Sequence, residues 1–473
     1  MRVPLSKRTW GAICLISANC RPCHNGWVRS LFLLILALPL AAQQDSGLER
    51  KLSEKISATL KETGAPSVSV ALVKDDRLVF AQAFGKATAG TRYAVGSISK
   101  QFTAAAVLLL QEQGKLSLDD KVSQYFPALT RAGEVTIRQL LTHTSGYEDY
   151  APQDYIIPEW LQPMTPQAIL ERWARKPLNF DPGTKWQYSN TNYVLAGEIF
   201  EKASGQPLLA FLRERIFQPL GMQSASDCSE ASPADAAAYT RFALGPPRPV
   251  KREAAGWYFA AGELCMTPGD LAKWDIAFLR REILSAKSYE EFTHEARLKN
   301  GDFTHYALGL QIGEFNRIPL ISHSGEVSGF ISYNGIYPTR HGAVVVLTNE
   351  DGINLISPIS SAVATIAFLP DEPPVSDKVT GQVKSMLEAF RAGKIDRSLF
   401  TANANSYFTA ASLQDIQKSL AGLGKLKSVT RTSETLRGGM THRAYRATYA
   451  KKSVSLNIYV MPDGKYEQFM IEE

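Results

Sequence analysis

Ser97 and Lys100 form a Ser-x-x-Lys tetrad at the start of an apolar run of good helix formers that extends to Leu110. A spacing of three places the two side chains on the same face of a helix. A serine hydroxyl becomes a good nucleophile when a neighbouring base takes its proton. A lysine can be that base when burial or a nearby positive charge lowers its pKa. The tetrad alone is a weak signal, because it also occurs by chance at solvated helix starts.

A second polar group, Tyr188-Ser189-Asn190, follows a Pro-Gly turn and precedes a predicted helix over Tyr193–Ala203. From a loop next to a helix start, the tyrosine can reach a pocket. Its phenol can relay a proton if nearby cations favour phenolate. The amide of Asn190 can bind a substrate carbonyl or the lysine. The structural alternative is a helix cap with an exposed tyrosine.

A third group, His323-Ser324-Gly325, lies in a strand-like stretch that also carries Gly329. Glycine within a strand often marks the close approach of another backbone or a ligand. The structural alternative is a bulged strand with His323 in the core. His143 is a different case, and the sequence favours a structural role for it, as a polar residue that ends a buried helix and bonds the backbone before Gly146.

Together these motifs resemble those of the serine β-lactamase and penicillin-binding-protein superfamily, in the same order and with similar spacing. The closest branch is that of class C β-lactamases, D-peptidases and esterases, and Thr136–Gly146 and Ala260–Trp274 also resemble its recurrent segments. The resemblance implies an α+β fold, in which an antiparallel sheet is flanked by helices and a helical subdomain carries Tyr188.

The resemblance also implies roles for single residues. Ser97 would be the acylated nucleophile, and Lys100 and Tyr188 would share the acid and base steps. The backbone N–H groups of Ser97 and Glu326 would form the oxyanion hole. The resemblance places the other motif residues in substrate binding, namely Asn190, His323, Ser324 and Gly325.

His323 departs from the penicillin-recognising members, which usually have a lysine there to bind the substrate carboxylate. Histidine is mostly neutral near pH 7. We therefore expect a D-amino-acid peptidase, amidase or esterase that acts through an acyl-enzyme. The alternatives are a β-lactamase and a catalytically weak penicillin-binding or sensor protein. The resemblance implies no cofactor, and the histidines after residue 42 are scattered, without metal-ligand spacing.

The 473 residues divide into a leader and two predicted domains. Residues 1–42 are predicted to be a signal peptide, because a short apolar segment after Arg29 ends in small residues. We therefore expect a secreted or periplasmic protein, or one anchored to the membrane if the leader is not cleaved. The catalytic domain is predicted over residues 48–369, and residues 370–378 form a proline-rich linker.

Residues 379–473 are predicted to form a small α+β domain, with helices over 379–392 and 412–422 and four antiparallel strands. This domain resembles cystatin-like or NTF2-like domains, and the sequence identifies no protein partner for it. The net charge of +6 includes five basic residues of the leader, so it gives no indication of nucleic-acid binding. We expect a small-molecule or peptide substrate.

Cysteines and local patterns give further expectations. Cys228 and Cys265 are the cysteines outside the leader, and we expect two separate buried thiols rather than a disulfide. In the catalytic domain, strands are predicted over Ser67–Val73, Leu78–Phe84, Tyr306–Ile312, Ile331–Tyr337 and Gly342–Asn349. Helices are predicted over 48–62, Pro166–Trp173, 206–222 and 354–369.

Overall fold

The computed structural model describes residues 40–153, 155–243, 245–369 and 378–472. The predicted signal peptide and linker lie almost wholly outside these ranges. The described helices are α1 Leu40–Thr63, α2 Ser99–Glu112, α3 Ile137–Leu141, α4 Pro166–Ile169, α5 Asn190–Ser204, α6 Leu208–Leu212, α7 Phe259–Gly262, α8 Pro268–Leu279, α9 Ala286–Thr293, α10 Ile356–Phe368, α11 Lys378–Arg391, α12 Ala402–Tyr407 and α13 Ala410–Gly422.

The strands are β1 Ser67–Lys74, β2 Arg77–Gly85, β3 Tyr93–Ala94, β4 Ser226–Asp227, β5 Tyr239–Thr240, β6 Arg248–Pro249, β7 Leu264–Met266, β8 Gln311–Phe315, β9 Ile318–Val327, β10 Phe330–Tyr337, β11 Gly342–Thr348, β12 Leu426–Arg437, β13 Met440–Tyr449, β14 Ser453–Val460 and β15 Tyr466–Glu472. The largest sheet is antiparallel, with the order β2-β1-β11-β10-β9-β8. The predicted antiparallel sheet flanked by helices is confirmed.

Both faces of the large sheet are covered, which explains why β1 and β11 are nearly continuous apolar runs. Successive side chains of a strand point to opposite faces. Val70 and Leu72 therefore pack in a core with α1 and α10, whereas Ala71 and Val73 belong to the larger core around α2. Helix α2 is buried from Ser99 to Leu110, so it is a central helix of this core.

Beyond residue 378 the chain forms a separate four-stranded antiparallel sheet in the order β12-β13-β14-β15. The helices α11 and α13 pack on it around the buried residues Val383, Leu387, Phe390, Leu420 and Leu456. A small C-terminal α+β domain is therefore present. Its resemblance to cystatin-like or NTF2-like domains stays a prediction, as do the domain boundaries.

One predicted strand starts in the wrong place, and two predicted helices contain π-helical turns. The predicted strand Tyr306–Ile312 begins only at Gln311, because the chain turns through Gly309, whose φ is +71°. The predicted helix over 206–222 consists of α6 and a π-helical turn over Arg213–Phe217. Likewise, α4 continues as a π-helical turn over Leu170–Ala174.

Cys228 and Cys265 form a disulfide, which corrects the expectation of two separate thiols. The cause is strand pairing: β4 and β7 are antiparallel neighbours, and Cys228 N–H donates to the carbonyl of Glu263 at 2.8 Å. This pairing brings the two Cα atoms to 4.9 Å, within the range that a disulfide needs. Since 37 positions separate the cysteines along the chain, the pairing was not visible in the sequence.

Candidate active site

Ser97 lies in a 3₁₀ turn, Gly96–Ile98, immediately before α2. Gly96 has a φ of +50°, and a Cβ at this position would lie 2.9 Å from the backbone nitrogen of Glu326. A Cβ on Gly325 would lie 2.0 Å from the carbonyl oxygen of Val95. The two glycines therefore let β9 pack directly against the turn that carries Ser97. This is the close backbone approach that the glycine in the strand predicted.

Lys100 lies on the first turn of α2 and is fully buried. Its Nζ is 2.9 Å from Ser97 Oγ, 2.8 Å from Asn190 Oδ1 and 2.7 Å from the carbonyl oxygen of Ala261. Burial lowers the pKa of Lys100 to about 7, although the charge of Asp149 raises it. Two of its three neighbours are permanent acceptors, so a neutral amine directs its lone pair at Ser97.

Tyr188 lies in the loop before α5, and its hydroxyl donates to Ser97 Oγ at 2.8 Å. Lys100 Nζ is 5.0 Å from the centre of the tyrosine ring. A nearby cation was the condition on which phenolate was expected, but burial raises the pKa of Tyr188. The group beside Ser97 is therefore a neutral phenol at neutral pH.

Asn190 is the first residue of α5, and its side chain bridges Lys100 and Asp149. Its Oδ1 accepts from Lys100, and its Nδ2 lies 3.2 Å from Asp149 Oδ1. Asp149 also accepts from the backbone N–H of Asn190, at 2.9 Å. Of the two roles foreseen for this amide, the structure shows the contact with the lysine.

His323 lies on β9 and is 2% exposed. Its Nε2 is 2.8 Å from the hydroxyl of Tyr306, and its Nδ1 is 2.5 Å from the carbonyl oxygen of Ser324. Burial, together with the charge of Lys100, lowers the pKa of His323 to about 3. The imidazole is therefore neutral at physiological pH and supplies no fixed positive charge.

A cleft of about 670 Å³ lies beside these residues. Ser97, Tyr188, Asn190, His323, Ser324 and Glu326 all line it, and Gly325 lies behind them against Val95. Four carboxylate residues contribute to its surface, namely Asp149, Glu253, Glu326 and Asp351. Of the described residues that line the cleft, none is a lysine or an arginine. Aromatic side chains form much of the remaining wall, among them Tyr155, Trp160, Trp186 and Tyr258.

His143 lies beneath this cleft in a structural position, as the sequence favoured. It is fully buried with a φ of +58°, and its Nδ1 accepts from the backbone N–H of Ser189 at 3.2 Å. Its ring packs 4.3 Å from the ring of Tyr188, measured between centres. His143 therefore holds the loop that carries Tyr188, which is a wider role than closing its own turn.

Three groups at the site were not singled out from the sequence. Asp149 follows the recognised segment Thr136–Gly146 closely and lines the cleft, so its acidic side chain there was a usable signal. The carbonyl of Ala261 comes from a segment recognised by resemblance, without an assigned contact. Tyr306 belongs to the stretch that was wrongly predicted as a strand. The sequence therefore gave no indication that Tyr306 binds His323.

The described ranges contain neither a candidate metal site nor a candidate membrane span. No group of three or more histidine, cysteine, aspartate or glutamate residues in these ranges is arranged to hold a metal ion. Within the same ranges, no helix has both the length and the apolar character that a membrane span requires.

Comparison with known proteins identifies the class. The family model described as Beta-lactamase matches residues 52–355, which is more than half of the chain. This match contains all three motifs of the cleft. The chain therefore belongs to the β-lactamase family, within the superfamily that includes penicillin-binding proteins.

Two curated relatives show the range of this family. A provisionally named penicillin-binding protein of Bacillus subtilis, PbpX, is 28% identical over 307 residues, which cover 63% of this chain and 74% of the relative. A provisionally named D-alanyl-D-alanine carboxypeptidase of Escherichia coli K12 is 32% identical over 200 residues, covering 37% of this chain and 45% of the relative.

Solved structures agree on the fold. A D-stereospecific amidohydrolase from Streptomyces is 25% identical with a TM-score of 0.59, over 68% of this chain and 98% of that one. An octameric penicillin-binding protein homologue from Pyrococcus abyssi is 22% identical with a TM-score of 0.60, over 90% of this chain and 99% of that one. The second match extends the likeness in fold beyond the catalytic domain.

Proposed function

We propose that this chain is an exported serine hydrolase that cleaves amide or ester bonds through an acyl-enzyme on Ser97, with D-amino-acid amides, peptides or esters as substrates. The observation that carries the proposal is the position of Ser97 Oγ. It lies 2.9 Å from Lys100 Nζ and 2.8 Å from the hydroxyl of Tyr188, at the edge of an open cleft. This is the hydrogen-bond reach that a nucleophile and its base require.

The acylation step follows from the protonation states. Near pH 7 a substantial fraction of Lys100 is neutral, and its lone pair takes the proton of Ser97 as Oγ attacks the scissile carbonyl. The phenol of Tyr188 gives its proton to the leaving nitrogen or oxygen and regains one from the protonated lysine. Water then hydrolyses the ester of Ser97 by the reverse sequence of proton transfers.

The oxyanion of the tetrahedral intermediate needs backbone donors. We assign this role to the N–H groups of Ser97 and Glu326, because the turn of Ser97 and strand β9 pack against each other at Gly96. One such donor typically contributes about 3 kcal/mol to transition-state stabilisation.

The charge of the cleft supports the choice of substrate. A carboxylate close to the scissile bond, as in penicillins, would meet the neutral His323 and several carboxylates of the protein. Like charges across an interface are unfavourable. An amide, ester or peptide that carries an uncharged or positively charged group at this place fits better. The amidohydrolase of similar structure, named as D-stereospecific, supports D-amino-acid substrates.

Two alternative functions predict different rates on penicillin, esters and amides. A β-lactamase would turn over penicillin faster than esters or amides. A penicillin-binding or sensor protein would bind or become acylated without turnover. The retained contacts of Ser97, Lys100 and Tyr188 favour an active hydrolase over the second alternative.

Export is also part of the proposal. It rests on the apolar leader segment and is supported by the disulfide between Cys228 and Cys265, since disulfides persist mainly in oxidising compartments. Cell fractionation, combined with N-terminal sequencing of the mature protein, tests it. A full-length protein that stays in the cytoplasm would contradict it.

The decisive experiment for the activity is intact-mass analysis with a fluorophosphonate probe, followed by rates on D-phenylalanine amide, a p-nitrophenyl ester and a fluorescent penicillin. We expect one adduct on Ser97, its loss in Ser97→Ala, and turnover of the ester or amide well above that of penicillin. Ser123→Ala, at a serine outside the cleft, is the control. Labelling that persists in Ser97→Ala would contradict the proposal.

A further inference from the structure

Asp149 holds Asn190 at two places with a single carboxylate. Its Oδ1 accepts from the backbone N–H of Asn190 at 2.9 Å and from Nδ2 of the same residue at 3.2 Å, and its Oδ2 lies 3.4 Å from that Nδ2. A further backbone donor, the N–H of Ala151, binds Oδ1 at 3.2 Å. Burial raises the pKa of Asp149 above its usual value, while the N–H groups of Asn190 and Ala151 and the charge of Lys100 oppose this rise and favour the ionised form.

The start of α5 shows why this contact comes from another loop. Its N-cap residue is Ser189, whose side chain makes no capping hydrogen bond. Within the described part of the chain, Ser189 Oγ is buried without a hydrogen-bond partner. The carboxylate of Asp149 instead binds the first N–H of α5, where the helix dipole also favours a negative charge.

An amide held in this way has one favourable orientation. With its Nδ2 on Asp149, Asn190 directs Oδ1 at Lys100 Nζ, 2.8 Å away. Rotation of the amide by 180° would place its oxygen against the carboxylate and its NH₂ group against the hydrogens of Lys100. Both contacts would then be repulsive, because each would pair two acceptors or two donors.

We propose that Asp149 is a positioning residue of the reaction, which fixes the amide of Asn190 with its oxygen on Lys100 and places a negative charge behind this pair. The inference rests on the proposed function, since it assigns Lys100 as the base for Ser97. Its effect on the reaction passes through Asn190 and Lys100.

The charges that face Lys100 give this proposal a specific signature. The rings of Tyr188 and Tyr193 lie 5.0 and 5.4 Å from its Nζ, and burial raises the pKa of both phenols. Burial lowers the pKa of both His143 and His323, so these neighbours are neutral near pH 7. Asp149 is the carboxylate that raises the pKa of Lys100. Removal of its charge therefore lowers that pKa.

The test is the pH dependence of acylation by the fluorophosphonate probe, in the wild type and in Asp149→Asn. We expect the rate at its plateau to fall by up to about 100-fold, as a misplaced base does. We also expect a shift of the acid limb of the pH–rate profile, where the rate rises as Lys100 loses its proton. It should move to lower pH by roughly one unit, as the loss of a nearby opposite charge does. Asp149→Ser, whose hydroxyl can still accept the N–H of Asn190, should show the same movement if the asparagine variant folds poorly.

Glu148→Gln is the matched control, because Glu148 is the adjacent residue and its side chain pairs with Lys176 at the surface. This variant should keep the plateau rate of the wild type and the position of its acid limb. An unchanged rate in Asp149→Asn, or a loss of rate with the acid limb in its original place, would overturn the proposal. A wild type that is not labelled at Ser97 would instead contradict the proposed function.

Discussion

Two basic side chains are buried at the cleft, and burial leaves them with different pKa values. Lys100 contacts Ser97 from within the protein, at what we call the floor of the cleft, and His323 lies on β9, which we call its wall. On the floor, the pKa of Lys100 falls from 10.5 to about 7. On the wall, the pKa of His323 falls from 6.5 to about 3. In both cases the main cause is burial, which disfavours the charged form.

The two decreases are similar in size, but they start from different values. Lysine therefore reaches the physiological range, where it can both accept and release a proton, whereas histidine leaves this range and stays neutral. The comparison shows why a fully buried lysine is suited to act as a base here and why the buried histidine is not. It also separates the proposed base, Lys100, from the proposed substrate-binding residue, His323.

The largest expected effect comes from a substitution that prevents residue 100 from losing its proton. Lys100→Arg keeps a positive charge but remains protonated at all accessible pH values. We expect acylation of Ser97 to slow by about 10²–10⁴-fold, the usual contribution of a general base. Stopped-flow measurement of probe labelling checks this. Lys86→Arg at the surface is the control, and an arginine variant that retains wild-type rates would remove Lys100 from the mechanism.

The pH profile tests the same difference without a mutation. In the proposed mechanism neutral Lys100 is the reactive form, so kcat/KM should rise tenfold per pH unit up to a midpoint near 7 and then level off. At pH 5 the rate should be about 100-fold below the plateau. His323 is neutral throughout this range, so His323→Gln should leave the midpoint in place. A second limb that disappears in this variant would show that the histidine titrates.

A cation on the wall should change substrate choice. In His323→Lys we expect the ratio of penicillin acylation to uncharged ester hydrolysis to rise about tenfold, which corresponds to about 1.4 kcal/mol. The added positive charge should also move the acid limb of Lys100 to lower pH. His305→Lys, at a side chain that is 80% exposed, is the control. A ratio that stays at the wild-type value would mean that the wall does not select against carboxylates.

The sequence was most informative where short motifs coincide with periodic structure. Ser97 and Lys100 are visible because the tetrad opens a strongly apolar helix, and the four antiparallel strands of the C-terminal domain were predicted. Tyr188 and Asn190 were found by their motif, although their contacts with Ser97 and Asp149 depend on how separate segments pack. The family match then agreed with the resemblance carried by these motifs.

The residues that the sequence did not reveal lie in irregular segments. Asp149 and Tyr306 follow no periodic pattern, and each reaches its partner across a long separation in the chain. The disulfide was missed for a related reason, because the pairing of β4 with β7 brings its cysteines together. Such contacts depend on tertiary packing, which no local pattern of residue types records.

The smallest expected effect on catalysis comes from Tyr306. Its replacement tests whether burial or the hydrogen bond from Tyr306 keeps His323 neutral. In Tyr306→Phe, His323 Nε2 loses its partner in a buried position, so we expect the free energy of unfolding to fall by about 1–3 kcal/mol. Urea denaturation measures this, with Tyr407→Phe at a residue that is 49% exposed as the control. The acid limb should not move, because burial rather than this hydrogen bond keeps His323 neutral. A new limb between pH 5 and 8 would mean that the hydroxyl of Tyr306 controls the charge of the wall.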